Sequence, residues 1–516
     1  MSISKSLLYV ACCIMFIASC KPTHDPLEVV KTEAGLISGT TNQEEDIHIF
    51  KGIPFAEPPI GKLRWKAPQP ATPWTDVRQC TTFGPSPMQN EPAPFSMWTE
   101  EFLIPKEPIS EDCLYLNVWT GAKAYSEKRP VMVWIYGGGF SSGGSAVPIY
   151  DGEAMAKKGI VFVSINYRVG IFGFFAHPEL SRESGHYASG NYGLMDQLAA
   201  LQWVQKNIAA FGGDPENVTI AGQSAGAMSV NCLVASPLSE GLFHQAIAQS
   251  GANFARDKPL LREAEEKGEA VARSLQASSL ADLRNIASED LLQAEGGIRG
   301  PIIDGYILPE PVVDIFDAGK QQDVAVLTGW NEDEGLVFGP MVNAEVFRQQ
   351  AEAQYGEKAE TFLSYYPATD DSVTEISQLK SSRDRIFGAH NFAWAKLQSE
   401  QGKSKVYVYR FTRKVPATGE YIKYGAFHTG EVPYAYDNLQ FVERPWEPID
   451  HELAHLMSSY WVNFVSSGDP NGEALPPWPA YDTTDDQIML LGKKPEASVL
   501  PDRDALDFLY EQMVGE

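Results

Sequence analysis

Short apolar runs recur along the chain and alternate with stretches whose apolar residues have helical spacing. Four of the runs are typical of buried strands: "VMVWIYGGGF" (131–140), "IVFVSINYRVG" (160–170), "HQAIAQSG" (244–251) and "DVAVLTGW" (323–330). In the stretch 191–208 one helical face carries Leu194, Leu198, Leu201 and Val204. Strands that alternate with helices predict an α/β fold with a mostly parallel central sheet.

Few breaks interrupt this pattern after residue 27. No linker rich in proline, glycine or serine divides the rest of the chain, so we expect one domain over residues 28–516. Segments 253–300 and 341–400 have helical patterns and are expected to pack over or beside the sheet as helical excursions.

The N-terminal pattern differs from the rest. Lys5 precedes the apolar run "LLYVACCIMFIAS", which is too short for a mature membrane span and is typical of a signal peptide. The run ends in "IASC", which resembles a bacterial lipobox with Cys20 as the lipidated residue. We therefore predict a lipoprotein signal over residues 1–19, a tether over residues 20–27, and an exported protein held at the cell envelope. The alternative is ordinary secretory cleavage near the same place.

Composition and charge exclude several function classes. The chain has 516 residues, of which 44% are hydrophobic and 21% are charged, as expected of a globular protein with a sizeable core. Its formal net charge is −26, which would repel phosphate backbones, so nucleic acid is not expected as a partner. No later stretch is apolar over 18 residues, so the N-terminal lipid would be the sole membrane contact.

The segment "DHELAHLMSSYW" (450–461) contains a complete H-E-x-x-H motif, which suggests a zinc hydrolase. On a helix, however, His451 and His455 fall almost opposite the apolar face, and no third ligand follows. That face carries Leu453, Leu456, Met457, Tyr460, Trp461 and Phe464. We therefore expect the histidines on the solvent side and predict no metal site.

A second motif lies between a predicted strand and a predicted helix. Residues 222–226 read G-Q-S-A-G, and a G-x-S-x-G turn in this context lifts its serine above the edge of the sheet. Ser224 is therefore a candidate nucleophile, and it requires a base and an acid that holds the base.

The partners of this serine are expected in the order serine, acid, histidine. Glu332, Asp333 and Glu334 follow the run 323–330 and are candidate acids, and His428 is a candidate base. An oxyanion hole requires backbone amides after the nucleophile and in a glycine turn after an early strand. Ala225 and the Gly137–Gly139 turn satisfy both requirements.

Together these features resemble the type-B carboxylesterase family, which includes cholinesterases and bacterial para-nitrobenzyl esterases. The resemblance covers about residues 28–510. "FGGDPENVTIAGQSAG" (211–226) resembles the family's serine signature and "EDCLYLNVW" (111–119) its second signature, and "YWVNFVSSGDPNG" (460–472) is one of several further stretches that match. The resemblance implies an α/β-hydrolase fold, a small to medium carboxylic ester as substrate, and no cofactor.

Motif by motif, the resemblance implies Ser224 as nucleophile, Glu334 as acid and His428 as base. Amides of the oxyanion hole would come from Gly138, Gly139 and Ala225. Cys80 and Cys113 match the family's first disulfide, which would contribute about 4 kcal/mol and leave Cys232 as a free buried thiol.

Two positions depart from the family pattern. Residue 223 is Gln where the family often has Glu, so a second carboxylate near the imidazolium is missing. Trp98 lies between the two cysteines but has no secure match to the aromatic residue that binds choline.

The predicted function is hydrolysis of carboxylic esters through a serine acyl-enzyme. Two alternatives come from other classes: a non-catalytic adhesion or binding protein on the same fold, which the family includes, and the zinc hydrolase described above. The intact set of Ser224, Glu334 and His428 argues against the first. The solvent-side position expected for His451 and His455 and the lack of a third ligand argue against the second.

Overall fold

The computed structural model describes residues 27–44, 46–337 and 339–515. The predicted signal peptide, Cys20 and most of the tether lie outside the described residues. No helix within the described ranges combines the length and apolarity that a bilayer span requires.

The described part of the chain contains a central sheet of eleven strands, which run in the order β3-β4-β8-β10-β9-β11-β12-β13-β14-β15-β16. Its strands are β3 (Thr40–Thr41), β4 (His48–Pro54), β8 (Tyr115–Thr120), β9 (Arg129–Ile135), β10 (Val161–Ile165), β11 (Gly213–Gln223), β12 (Gln245–Gln249), β13 (Ala325–Asn331), β14 (Val406–Phe411), β15 (Gln487–Leu491) and β16 (Glu496–Val499). Short strands elsewhere are β1 (Val29–Lys31), β2 (Leu36–Ser38), β5 (Arg78–Gln79), β6 (Ser86–Pro87) and β7 (Ile109–Ser110).

The middle of the sheet is parallel and its two edges are antiparallel. Neighbouring strands from β10 through β15 pair in parallel, whereas β3, β4 and β8 on one side and β16 on the other pair antiparallel. The parallel strands are apolar runs because helices cover both of their faces. The sheet is thus the mostly parallel one expected of an α/β-hydrolase fold.

Helices flank this sheet and connect its strands. They are α1 (Glu153–Lys157), α2 (Gly170–Phe174), α3 (Pro178–Glu183), α4 (Tyr192–Asn207), α5 (Ala225–Ala235), α6 (Leu261–Ser274), α7 (Leu280–Asn285), α8 (Ser288–Leu292), α9 (Val312–Asp317), α10 (Ala344–Tyr355), α11 (Ala359–Tyr365), α12 (Asp371–Arg383), α13 (Ala389–Gln401), α14 (Val432–Ala435), α15 (Pro448–Ser467) and α16 (Arg503–Val514). Helix α5 packs on β9, β11 and β12, α13 packs on β13 and β14, and α15 packs on β9 and β11.

The apolar runs identified in the sequence correspond to β9, β10, β12 and β13, and the long amphipathic stretch corresponds to α4. The helical patterns at 253–300 and 341–400 correspond to α6–α8 and α10–α13. Part of the second group forms a small core of its own, in which Phe347 and Phe362 are buried with Phe508 of α16. The helical excursions were therefore predicted correctly.

The predicted disulfide is absent. Cys80, Cys113 and Cys232 are all buried free thiols in the structure. Burial raises the pKa of Cys80 to about 11 and that of Cys113 well above its ordinary value, so both thiols are held in the neutral form. Only the expectation that Cys232 is free and buried is confirmed.

Candidate active site

The turn between strand β11 and helix α5 holds Ser224 in a backbone conformation that few residues other than glycine adopt. The strand ends at Gln223 and the helix begins at Ala225, so Ser224 alone forms the turn. Its φ of 57° and ψ of −125° lie outside the regions that L-residues favour. Its amide donates a hydrogen bond to the Gln249 carbonyl oxygen at 2.8 Å, which ties the turn to the end of the neighbouring strand. The strand, turn and helix predicted around Ser224 are therefore present.

Glycines flank the turn because backbone segments approach each other closely there. A Cβ atom on Gly226 would lie 2.0 Å from the Ile135 carbonyl oxygen, and one on Gly222 would lie 2.4 Å from the Gly226 carbonyl carbon. Neither position can accept a side chain without moving the backbone. The close approach lets helix α5 start directly above strand β9, with the half-buried Ser224 at the carboxyl end of the sheet.

Glu334 and His428 form a short contact next to this turn. Nδ1 of His428 lies 2.7 Å from Oε2 of Glu334, and both side chains are almost completely buried. The second carboxylate oxygen of Glu334 accepts a hydrogen bond from the Asn331 amide at 2.7 Å. An ionised Glu334 requires a donor at Nδ1, so Nδ1 carries a proton and Nε2 of a neutral imidazole is left with its lone pair.

Gln223 meets the other side of the imidazole. Its amide nitrogen lies 3.1 Å from Nε2 of His428, and it donates because Nε2 has only a lone pair to offer. Gln223 precedes Ser224 directly, so this contact places the imidazole beside the turn. The sequence showed Gln223 as a departure from the family pattern, but it gave no sign of this contact.

Asp333, the alternative acid, has a different contact. Its carboxylate accepts a hydrogen bond from the Ala426 amide at 2.9 Å, two residues before His428. It therefore holds the segment that carries the histidine, whereas Glu334 holds the ring itself.

The glycine turn after strand β9 lies against Ser224. A Cβ atom on Gly137 would lie 2.9 Å from Cβ of Ser224, so the two segments are in contact. Gly138 and Gly139 have φ values of 113° and 60°, which glycine adopts readily. Within the described residues their amides have no hydrogen-bond acceptor, and the amide of Ala225 is the first of a helix and has none within it. The structure thus brings the three predicted oxyanion-hole residues to one place.

Two aromatic residues that the sequence did not single out for this site enclose His428. The Phe387 ring stacks on the imidazole with centroids 4.4 Å apart and an interplanar angle of 17°. Trp98 meets it edge-on at 6.2 Å and donates a hydrogen bond to Oγ1 of Thr429 at 3.2 Å. Phe387 belongs to a π-helical segment, Asp384–Gly388, that joins α12 to α13. A π-bulge has no sequence signature that could have indicated this role.

A second buried carboxyl, Glu431, lies near the Glu334–His428 pair. It accepts hydrogen bonds from the side-chain amides of Gln249 at 3.1 Å and Asn331 at 2.5 Å. Burial, followed by the charge of Glu334, raises the pKa of Glu431 to about 7. Nothing in the sequence separated this residue from an ordinary surface glutamate.

The H-E-x-x-H motif lies on helix α15, away from this cluster. His451 is exposed, and the His455 side chain is 76% exposed, with Nδ1 3.0 Å from Nζ of Lys158. The apolar residues predicted for the opposite face are buried, except for the half-buried Leu456. The expected solvent-side position of both histidines is confirmed. Across residues 27–44, 46–337 and 339–515, no group of three or more His, Cys, Asp or Glu side chains is placed to hold a metal ion.

Comparison with known proteins shows one family along nearly all of the described chain. The model of the carboxylesterase family matches residues 26–509. The chain is 37% identical to the fumonisin B1 esterase of Sphingopyxis macrogoltabida, over 96% of this chain and 92% of the relative. It is 36% identical to the para-nitrobenzyl esterase of Bacillus subtilis (strain 168), over 90% of this chain and 94% of that protein.

Solved structures give the same result for the fold. A PNB esterase superposes with a TM-score of 0.82 at 33% identity, and the match covers 95% of this chain and all of the other. A thermophilic PNB esterase superposes with a TM-score of 0.81 at 34% identity, over 94% of this chain. At this level of similarity the fold and the family are shared.

Proposed function

The chain belongs to the carboxylesterase family and is an ester hydrolase, and we propose that it acts through an acyl-enzyme formed on Ser224. The observation that carries this mechanism is the 2.7 Å contact between Glu334 and Nδ1 of His428 beside the strained Ser224 turn. That contact leaves the lone pair of Nε2 for a proton.

In the proposed reaction His428 takes the proton of the Ser224 hydroxyl as its oxygen attacks the ester carbonyl carbon. Glu334 keeps the imidazole in the required tautomer and stabilises its cation. Amides of Gly138, Gly139 and Ala225 hold the oxyanion of the tetrahedral intermediate. His428 then gives its proton to the leaving alcohol, and a water molecule that it activates releases the acid.

Gln223 has to release Nε2 during this cycle, because a donor cannot face the protonated nitrogen. Its side-chain amide carries both a donor and an acceptor, so a rotation would present the oxygen to the imidazolium. We propose that Gln223 holds the base in place between turnovers without adding a charge.

Labelling of the nucleophile tests the proposal. A fluorophosphonate should add to the peptide that contains Ser224, and hydrolysis of a p-nitrophenyl ester should be lost with the same time course. Ser224→Ala should prevent labelling and lower kcat by roughly 10⁴–10⁶-fold, as in other enzymes with such triads. Ser466→Ala, which changes an exposed serine on α15, is the matched control. Hydrolysis by Ser224→Ala within tenfold of the wild type would contradict the mechanism.

We also propose that the protein is exported and anchored by a lipid on Cys20. The support is the "IASC" stretch after a short apolar run. Mass spectrometry of the native N-terminus tests this, since it distinguishes a lipidated Cys20 from an unmodified one and from a start elsewhere.

A further inference from the structure

One face of the His428 imidazole is covered by an aromatic ring that the proposed reaction does not use. The Phe387 ring lies nearly parallel to the imidazole, with centroids 4.4 Å apart and an interplanar angle of 17°. The two residues are buried, with exposed fractions of 2% and 3%. Trp98 is farther from the imidazole, at 6.2 Å, and perpendicular to it. The close, parallel contact with Phe387 therefore acts on the plane of the imidazole.

This stacked ring supplies a restraint that the hydrogen bonds of His428 do not. Glu334 contacts Nδ1 at 2.7 Å and Gln223 contacts Nε2 at 3.1 Å. Hydrogen bonds to an imidazole follow the directions of its N–H and lone pair, which lie in the ring plane, so they oppose sliding within the plane more than tipping of the plane. In the proposed reaction Gln223 also has to release Nε2, which leaves the in-plane restraint to Glu334. The contact with Phe387 persists and opposes tipping.

A π-helical segment places Phe387 against the imidazole. Helix α12 ends at Arg383 and α13 begins at Ala389, and between them the Ala389 amide donates to the Asp384 carbonyl oxygen, five positions back. One extra residue in a helical turn rotates the side chains after it by about 100° around the helix axis. The π-helical segment therefore determines which side chain faces His428, and in this register it is Phe387.

Buried ionic contacts anchor the start of that segment. The Arg383 guanidinium contacts both carboxylate oxygens of Asp384, at 2.7 and 3.0 Å, and both side chains are 1% exposed. The same guanidinium donates a hydrogen bond to the Glu332 carbonyl oxygen at 3.1 Å, two residues before Glu334. Arg383 thus ties the segment that carries Phe387 to the segment that carries the acid. The acid and the stacked ring are held in one frame around the imidazole.

We propose that Phe387 is a positioning residue for the base. Its ring holds the plane of the His428 imidazole so that Nε2 stays aligned with the oxygen atoms between which it moves a proton. The inference rests on the proposed function, because it takes His428 as the group that moves protons between Ser224 and the leaving alcohol. It goes beyond that function, because the role of Phe387 involves no contact with the reacting atoms. A misplacement of about 1 Å can lower a rate roughly 100-fold, so loss of the ring should be measurable.

Two esters of the same acid, with alcohols of nearly equal size, test this role: p-nitrophenyl butanoate and p-methoxyphenyl butanoate. The p-nitrophenolate ion leaves without a proton, whereas the more basic p-methoxyphenolate requires one from His428 as it leaves. Phe387→Leu should therefore lower kcat/KM for the methoxyphenyl ester roughly 10- to 100-fold and that for the nitrophenyl ester by a smaller factor. Rates are expressed per active site titrated with a fluorophosphonate, so that a misfolded fraction does not count.

Phe392→Leu is the matched control. Phe392 is a phenylalanine of α13 that is 1% exposed, and its ring contacts Tyr510. Its loss removes a buried ring from the same helical stretch, so both rates per active site should stay within about twofold of the wild type. If Phe387→Leu does not fold, Phe387→Met takes its place, because methionine adapts to irregular gaps in a core.

The outcomes separate this inference from the proposed function. A larger loss on the methoxyphenyl ester in Phe387→Leu, absent in Phe392→Leu, would support the positioning role. Rates within twofold of the wild type, or a loss on the nitrophenyl ester that is equal or larger, would refute it while the serine mechanism stands. If the wild type hydrolysed neither ester and Ser224 did not react with the fluorophosphonate, the proposed function would fail and this inference with it.

Discussion

The Glu334–His428 contact and the H-E-x-x-H motif on helix α15 both combine histidine with glutamate, and their surroundings are opposite. His428 is 3% exposed, its Nδ1 contacts Glu334, its Nε2 contacts Gln223, and Phe387 covers one ring face. The pair on helix α15 has the more recognisable motif, yet His451 is exposed and the His455 side chain is 76% exposed.

We infer from this difference that the environment of a residue, rather than the local motif, determines whether it can act in catalysis. A buried imidazole with a fixed tautomer can transfer a proton in a defined direction, because its partners determine which nitrogen is free. Exposed imidazoles on one helix face have no groups that orient them. The predictions below test whether catalysis follows this contrast.

Loss of the buried histidine should have the largest effect. His428→Ala removes the proton acceptor of Ser224, so kcat for a p-nitrophenyl ester should fall by roughly 10⁴–10⁶-fold. Steady-state kinetics would measure this, with fluorophosphonate labelling of Ser224 as a second readout that should also slow. Activity within tenfold of the wild type would show that another group is the base.

Loss of the charge that orients His428 should have the next largest effect. Glu334→Gln keeps the size of the side chain but no longer specifies the tautomer of the imidazole, so kcat should fall by about 10⁴-fold, as for the acid of other triads. Asp333→Asn is the matched control. It weakens one hydrogen bond to the Ala426 amide, worth ~1 kcal/mol, and should cost about tenfold or less. The reverse order of effects would make Asp333 the acid.

The third prediction concerns stability rather than rate. The pKa of Glu431 is raised from 4.5 to about 7 in the folded protein. The folded state therefore holds a proton that the unfolded state has released, and the associated stability is present below pH 4.5 and lost as pH rises through about 7. Glu431→Gln removes the carboxylate whose negative charge forms as pH rises through about 7.

The free energy of unfolding, measured in urea at about pH 5 and about pH 8, tests this. Over this pH range the free energy of unfolding should fall further in the wild type than in Glu431→Gln, by up to roughly 3 kcal/mol. Glu420→Gln changes an exposed glutamate and should behave like the wild type. An identical pH dependence in wild type and Glu431→Gln would show that Glu431 is ionised throughout.

Features encoded by a local pattern could be predicted from the sequence. The buried parallel strands are continuous apolar runs, and the Ser224 turn has glycines where backbone segments touch, so both were found. Strands β4 and β8, which belong to the antiparallel side of the sheet, were not recognised as strands because they lack the long apolar runs of the parallel centre.

The rest of the candidate site arises from contacts between residues far apart in the chain. Gln223 meets His428 across 205 positions and Gln249 meets Glu431 across 182, and one sequence alone carries no record of such contacts. The expected Cys80–Cys113 bridge is not formed in the structure, where both thiols are free and buried, and a match to a family motif does not by itself fix the distance between two thiols.

The smallest effect is expected where the motif looks most like a catalytic site. His451→Ala combined with His455→Ala should leave kcat and KM within about twofold, because exposed substitutions of this kind change stability by no more than about 0.5 kcal/mol. His455 does contact Lys158 at 3.0 Å and lies 3.8 Å from Asp437, but such surface contacts contribute little to stability.

EDTA or phenanthroline should likewise leave the rate unchanged, since no step of the proposed reaction uses a metal ion. The direct comparison is with His428→Ala in the same assay. If the double variant or the chelator abolished hydrolysis while His428→Ala was tolerated, the roles of the two sites would be exchanged and the enzyme would be a zinc hydrolase.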